Sequence, residues 1–367
     1  MQFIIEREQL LKTLQKATKL IDHRAQLIIT RNILIQVSKN KLLITGTNIE
    51  LQIMAYIKLI RPSKIGTVTV PARKLLAICN CFPKNAVINA SLEKDKMVLA
   101  SEFSKFTLST LPSSSFPKFE VAEYFIHLTI SCSKLKYLIE STYFSMAHQD
   151  VRYYLNGMLF KIEGETLRIV ATDGHRLAMG KTMLISNKLF NHSVIIPRKA
   201  IIELLRLLSD ENKSLQIKIC STNILIHIDN YIFISKLIDG QFPNYHHVLH
   251  QNYETVLVID HALIKQAFHR AAILSNEKVH SVHLCLRKDQ LSITTSNIEQ
   301  EKYEEKIFMP YDGFELDINL NVDYLLDVLQ VLKSEKIMFF FKNSISSIQI
   351  EEQENKSLIY VIMPMQM

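Results

Sequence analysis

The chain has 367 residues, 48% hydrophobic and 22% charged, a balance that supports folded cores and excludes wholesale disorder. That length predicts two or three domains, each able to bury its own core. A formal charge of +7 and a pI near 9.0 favour a polyanionic partner, while only 8 glycines and no G-x-x-x-x-G-K-[ST] or G-x-G-x-x-G motif argue against nucleotide-driven chemistry.

The chain starts MQFIIEREQLLK, without the basic and then apolar pattern of a secretory leader. No stretch approaches the roughly 18 uncharged apolar residues of a membrane span, so a cytoplasmic location with no membrane partner is expected. The first predicted element is an amphipathic helix, REQLLKTLQKATKLI (7–21), which buries Leu10, Leu11, Leu14 and Ile21. Paired strands follow in KLLITGTNIELQI, then a helical run in VPARKLLAICNCF and a closing strand in FTLSTLPSSSFP. The same order recurs as SKLKYLIESTYFSMA (133–147), ETLRIVATDGHRL, IPRKAIIELLRLL and FISKLIDGQFP. It recurs again as HALIKQAFHRAAILS (261–275), DQLSITTSNIEQE, LNVDYLLDVLQVL and YVIMPM.

The repeat has a steady period. Leu43, Leu167 and Leu291 align at intervals of 124, Val70, Ile196 and Leu320 at 126 and 124, and Phe106, Phe233 and Tyr360 at 127. A period that long signals whole domains in tandem rather than a solenoid. The expected division is 1–125, 126–250 and 251–367, with joints near 120–127 and 245–254. Strand segments such as SLQIKICSTNILIHID alternate apolar and polar residues, which predicts antiparallel sheet with one buried face. The fold class is therefore α+β, with two helices packed on one side of a sheet in each copy. Cys79, Cys81, Cys132, Cys220 and Cys285, an odd set without C-x-x-C, are expected to be reduced core thiols.

The polar helix faces carry cations. Lys12, Lys16 and Lys19 form one stripe, His261, Lys265 and His269 another, and Arg73, Lys74, Arg198, Lys199 and Arg206 add to the second helical runs. Asp323 and Asp327 break the pattern in the third copy. One such stripe is an ordinary solvated face, but three brought together by a common rotation would suit a phosphate backbone. Hooks for catalysis are sparse: Asp173 lies near His175, Asp150 near His148, and His246 and His250 sit four apart in HHVLH. No G-x-S-x-G, H-E-x-x-H or zinc-type cysteine pairing accompanies them, so no enzyme, cofactor or metal is expected. The remaining rival is a protein that coats DNA by charge without encircling it.

STYFSMAHQDVRYYLNGMLF, ATDGHRLA, AILSNEK and the ending YVIMPM resemble the bacterial DNA polymerase III beta subunit family, and the similarity runs from Met1 to Met367. The resemblance implies three DNA-clamp domains per chain in a head-to-tail homodimer. That dimer forms a closed ring, with helices lining the hole and sheets outside. It implies a non-catalytic processivity factor that encircles double-stranded DNA and tethers the polymerase alpha subunit, the clamp-loader complex and other clamp-motif proteins. By the same resemblance Arg24, Arg73, Gln149, Tyr153 and Tyr154 contact DNA, chemistry that suits phosphate pairing and base stacking; Tyr153 and Tyr154 alternatively just open the next strand. The implied peptide cleft comprises Leu155, Thr172, Gly174, His175, Arg176, Leu177, Pro243, His247, Val248, Asn321, Tyr324, Ile345, Ser347, Val361, Met363, Pro364 and Met365, an adaptable apolar surface. The implied dimer contact joins Phe106 and Leu108 to Ile273 and Leu274, with Lys74 and Lys105 facing Glu299 or Glu301. The chain departs from the family pattern at His247, where arginine is common, at Val279, where an aromatic occurs, and at the Gln366–Met367 ending; these bear on partner affinity.

Overall fold

A computed structural model describes all residues except 22–25, 60, 62, 103, 118, 120–122, 186–188, 210, 212, 250–252, 366 and 367. Arg24, His250 and the Gln366–Met367 ending thus lie outside the described residues. The first copy runs β1 (Gln2–Glu6), α1 (Arg7–Ala17), β2 (Asn32–Ser38), β3 (Lys41–Thr47), β4 (Leu51–Lys58), β5 (Gly66–Pro71), α2 (Ala72–Cys81), β6 (Val87–Glu93), β7 (Lys96–Ser101) and β8 (Ser104–Ser109). The second runs β9 (Ile126–Ser131), α3 (Cys132–Glu140), β10 (Gly157–Gly164), β11 (Thr166–Thr172), β12 (Arg176–Met183), β13 (Phe190–Pro197), α4 (Arg198–Leu207), β14 (Ser214–Ile219), β15 (Asn223–Ile228) and β16 (Tyr231–Lys236). The third runs β17 (Thr255–Asp260), α5 (His261–Ile273), β18 (Ser281–Arg287), β19 (Gln290–Ser296), β20 (Lys302–Phe308), β21 (Leu316–Asn321), α6 (Val322–Val331), β22 (Lys336–Phe341), β23 (Ile348–Glu352) and β24 (Leu358–Ile362).

These elements divide into two compact units, Met1–Ser133 with Ile202–Leu237, and Lys134–Ile201 with Ile238–Met367. The first unit holds an eight-stranded antiparallel sheet in the order β5-β2-β3-β4-β16-β15-β14-β9 and a four-stranded sheet β1-β6-β7-β8. The second repeats the scheme with β13-β10-β11-β12-β24-β23-β22-β17 and β20-β19-β18-β21. Each eight-stranded sheet is thus two four-stranded halves from successive copies, zipped together at β4–β16 or at β12–β24.

Local sequence explains the elements. Leu10, Leu11, Leu14 and Ala17 of α1 and Ala72, Leu75 and Cys79 of α2 share one core with Phe3, Ile35, Leu42, Ile88 and Leu99. Those core residues come from two sheets, so the helices do not pack on one side of a single sheet. Burying the apolar face of each helix against two strand faces in one layer removes more apolar surface from water than a lone sheet allows. β3 passes α1 so closely that a Cβ on Gly46 would sit 2.2 Å from the Ala17 carbonyl oxygen, which accounts for glycine there.

Three further expectations need correction. The first hairpins pair Val37 with Leu42, Ile162 with Leu167 and Leu286 with Leu291, so Leu42, not Leu43, is the repeat partner of Leu167 and Leu291. A one-residue slip in a strand exchanges faces, and Leu42 is the inward residue. The helix expected over 133–147 ends at Glu140, where the Thr142 hydroxyl donates to the Leu138 carbonyl at 2.7 Å and competes for the helical acceptor. Among the cysteines, Cys79, Cys132 and Cys220 are buried, but Cys81 is exposed and Cys285 partly so, because helical and strand periods turn them outward. Burial pushes the Cys79 thiol up to about 12.

Candidate functional site

The second unit carries a cleft of about 180 Å³ lined by Arg152, Tyr154, Leu155, Thr172, Gly174, Arg176, Leu177, Pro243, Asn244, Tyr245, Val248, Val361 and Met363. Its floor belongs to an apolar cluster that includes Leu159, Val170, Leu177, Tyr245 and Val361. The β12–β24 pairing, with Leu177 opposite Val361, brings strands from distant parts of the sequence to one wall.

The turn between β11 and β12 shapes the rim. The Asp173 carboxylate accepts from the backbone amides of His175 and Arg176 at 2.9 and 3.0 Å, and the Thr172 hydroxyl donates to the Arg176 carbonyl at 2.7 Å. Such side-chain to backbone bonds define a tight turn, whose third residue Gly174 takes φ +92°. A Cβ at Gly174 would also stand 3.1 Å from the Arg152 guanidinium. The first unit builds the same turn at Thr47–Asn48, with Thr47 donating to Leu51 and Asn48 accepting from the amides of Glu50 and Leu51. There the glycine position is Ile49 at φ 80°, a strained conformation for a β-branched residue.

Arg176 is a hub. Its Nε donates to Asp173 at 3.0 Å, Nη1 to Asp327 at 2.6 Å and Nη2 to the Phe144 carbonyl at 2.8 Å, and the guanidinium lies 4.3 Å from the Tyr324 ring centroid. Only 12% of the side chain is exposed, so its charge is largely committed within the protein. Burial pushes the Tyr324 phenol up, reinforced by Asp173. Asn321 caps α6 by accepting from the amides of Asp323 and Tyr324. Asp327, which interrupts the expected basic stripe, is thereby a structural partner, and Asp323 likewise faces His280 at 3.2 Å. Arg152 differs: it is half exposed and held by Asp150 at 2.9 Å, and that pairing lowers the Asp150 carboxyl to about 2.

Nine residues of the implied cleft therefore meet around one opening: Leu155, Thr172, Gly174, Arg176, Leu177, Pro243, Val248, Val361 and Met363. His175, His247, Asn321, Tyr324, Ile345, Ser347, Pro364 and Met365 do not line it. Some of these support it from nearby: the His175 carbonyl accepts from the Met363 amide at 2.9 Å, and a His247 ring nitrogen meets the Asn244 amide at 3.0 Å. Sequence reasoning missed Arg152, Asn244 and Tyr245; the Asn-Tyr pair directly after Pro243 was the available signal. Tyr154 lines the cleft although its sequence reading was DNA contact, while its neighbour Tyr153 is 57% exposed and Gln149 is exposed at φ 58°.

The cationic residues are less uniform than their spacing suggested. Lys12, Lys19, Arg73, Lys74 and Lys199 are exposed, but Lys16 is half buried 4.4 Å from the Tyr231 ring centroid. Burial and the neighbouring Lys12 hold its ammonium below the ordinary lysine range. Arg198 donates to the Met146 carbonyl at 2.7 Å, and a ring nitrogen of His261 meets the Leu329 carbonyl at 2.7 Å, so both serve internal bonds. At the implied dimer contact Ile273 is 78% exposed, Lys105, Glu299 and Glu301 are exposed, and Leu274 and Phe106 are partly covered. Leu108 instead points into the first unit's core. Among the described residues no group of three metal-ligating side chains occurs, and no helix is long and apolar enough to cross a membrane.

Comparison with known proteins accounts for the whole chain. The family profiles for the DNA polymerase III beta subunit match at residues 1–120 (N-terminal domain), 129–244 (central domain) and 246–366 (C-terminal domain). The beta sliding clamp of Escherichia coli strain K12 is 47% identical over 367 residues and that of Haemophilus influenzae 42%, each aligned over all of both chains. The crystal structure of DNA polymerase III subunit beta from Pseudomonas aeruginosa, 42% identical, superposes with a TM-score of 0.97 over all of both chains. The Caulobacter crescentus pol III beta structure, 29% identical, gives 0.95 with the same coverage. Three consecutive family domains and full-length identity of this order establish that the chain belongs to the DNA polymerase III beta subunit family.

Proposed function

We propose that the chain is a DNA sliding clamp, a non-catalytic processivity factor whose three domains, divided at 1–125, 126–250 and 251–367, pair head to tail with those of a second copy. The ring so formed surrounds duplex DNA in the cytoplasm. Arg24, Arg73, Gln149, Tyr153 and Tyr154 contact the nucleic acid without reading sequence, Tyr154 from the edge of the cleft that it also lines. The cleft around Leu177, Tyr245 and Val361 takes short apolar segments of the replicative polymerase's alpha subunit, the clamp loader and other replication proteins in turn. An apolar floor with few fixed polar groups suits related linear motifs rather than one rigid partner.

The observation that carries this reading is the pattern of sheet edges. Two of the sheets are four-strand halves zipped edge to edge, whereas β8 in the first unit and β20 in the second end four-stranded sheets with no strand beyond them among the described residues. In the repeat, β8 is the counterpart of β16 and β24, and β20 of β4 and β12. A free edge invites strand pairing. Two copies joined β8 to β20 satisfy both edges twice, a heterologous contact that closes at a dimer if the rotation permits.

The test is topological. Loaded on nicked circular DNA, the protein should survive a high-salt wash and be lost when the circle is cut to a linear form. Phosphate contacts weaken with salt whatever the ends look like. Equal loss from circular and linear DNA would instead support a protein that coats DNA by charge.

A further inference from the structure

The two zipped joints specify how the third should pair. In the first unit Phe233 of β16 stands opposite Ile53 of β4, and in the second Tyr360 of β24 stands opposite Ala178 of β12. All four side chains are at most 1% exposed, so this rung is the sealed centre of each joint. Phe106 of β8 holds the repeat position of Phe233 and Tyr360, since Leu99–Phe106 and Ile226–Phe233 are the same rung of their hairpins. Tyr303 of β20 holds the position of Ile53 and Ala178, since Gly46–Ile53, Ala171–Ala178 and Thr295–Tyr303 are likewise one rung. Yet Phe106 and Tyr303 are both partly exposed where their counterparts are sealed.

We propose that the head-to-tail joint closes on an aromatic rung, Phe106 of one copy against Tyr303 of the partner subunit, with Arg270 and Glu305 holding the tyrosine in place beforehand. This rests on the dimer reading above. Arg270 of α5 donates to both Glu305 oxygens, at 2.6 and 2.8 Å, and its Nε lies 3.3 Å from the Tyr303 hydroxyl, which itself donates to Glu305. Phe106 is set by an edge-to-face contact with Phe82, centroids 5.4 Å apart. Both rings are therefore fixed before they meet, which lowers the ordering cost of association. The same register sets Lys105 opposite Glu304 of the partner subunit, a favourable cross-strand pair, rather than opposite Glu299 or Glu301. A slip of one residue would face Phe106 with Lys302 or Glu304 and is disfavoured.

Cysteine pairs in a Cys81→Ser background read the register directly. Oxidised Phe106→Cys/Tyr303→Cys should cross-link copies about tenfold faster than Phe106→Cys with Glu301→Cys or with Glu305→Cys, because only directly opposed residues approach disulfide distance. In sedimentation equilibrium, Tyr303→Ala should raise the dimer dissociation constant about tenfold, while Tyr303→Phe, which keeps the ring but gives up the bonds to Arg270 and Glu305, should raise it about threefold. Fastest cross-linking by a shifted pair, or parental dimerisation by Tyr303→Ala, overturns the rung while leaving the dimer intact. A parent protein that sediments as a monomer at every concentration overturns the dimer reading and the rung with it.

Discussion

Replacing Arg176 with alanine tests whether one side chain organises the cleft wall. The substitution removes the bonds to Asp173, Asp327 and the Phe144 carbonyl and leaves the face of Tyr324 uncovered. The Arg176–Asp173 pair, 12% and 17% exposed, is the costliest loss, roughly 2 kcal/mol as a charged hydrogen bond in a mostly dry setting. Asp327 is 41% exposed and rehydrates, so its share is at most about 1 kcal/mol. The orphaned carbonyl adds about 1 kcal/mol. The sum, about 4 kcal/mol, in a unit of roughly 200 residues lowers Tm by roughly 8–16 °C. Calorimetry measures the shift, and titration with an apolar clamp-motif peptide should show weakened binding in the same variant at a temperature where it remains folded. Arg176→Lys should recover less than half, because an ammonium cannot reach three acceptors and cover a ring at once. A Tm loss under about 2 °C, or full recovery by lysine, would refute the assignment of Arg176 as the organiser.

Ile49→Gly should stabilise the chain by about 1 kcal/mol in urea unfolding, since relief of a residue at φ 80° outweighs the added freedom of the unfolded chain; a lower midpoint would count against strain at this turn. Arg270 holds the Glu305 carboxyl below the usual glutamate range, so the stabilisation it gives is complete above the ordinary value of about 4.3 and is lost as pH falls through the lowered one. Glu305→Gln should therefore flatten the acid limb of a stability profile below about pH 4.5, and an unchanged limb would assign that slope to other carboxylates. Ile273→Asp with Leu274→Asp should yield a folded monomer by sedimentation and circular dichroism, given the exposure of Ile273; persistence of a dimer would move the interface elsewhere.

Much of this architecture was written in the order of residues. The apolar periodicity of α1, α2 and α5, the alternation along β14 and β15, and the repeat linking Phe106, Phe233 and Tyr360 are local or nearly local signals, and each element formed near its expected place. The approximations came where a local rule has no power: Leu42 and Leu43 are chemically alike, so only strand pairing tells which faces inward, and the run after Glu140 keeps a helical pattern while its Thr142 hydroxyl takes a backbone acceptor.

The cleft is the opposite case. Leu155, Leu177, Tyr245 and Val361 are spread over some two hundred residues and meet only because β24 returns to pair with β12. Family resemblance named most of the lining, but nothing in the order of residues says that Arg176 is spent on Asp327 while Arg152 stays half exposed. Charge along a helix is a one-dimensional pattern, whereas its availability to a ligand depends on partners brought together in three dimensions. The sequence by itself thus determined the repeated module and its secondary structure, because those follow from short-range hydrophobic periodicity. Tertiary structure alone decided which sheet edges are filled, which cations are committed and where the cleft opens, because each of these is a contact between residues far apart in the chain.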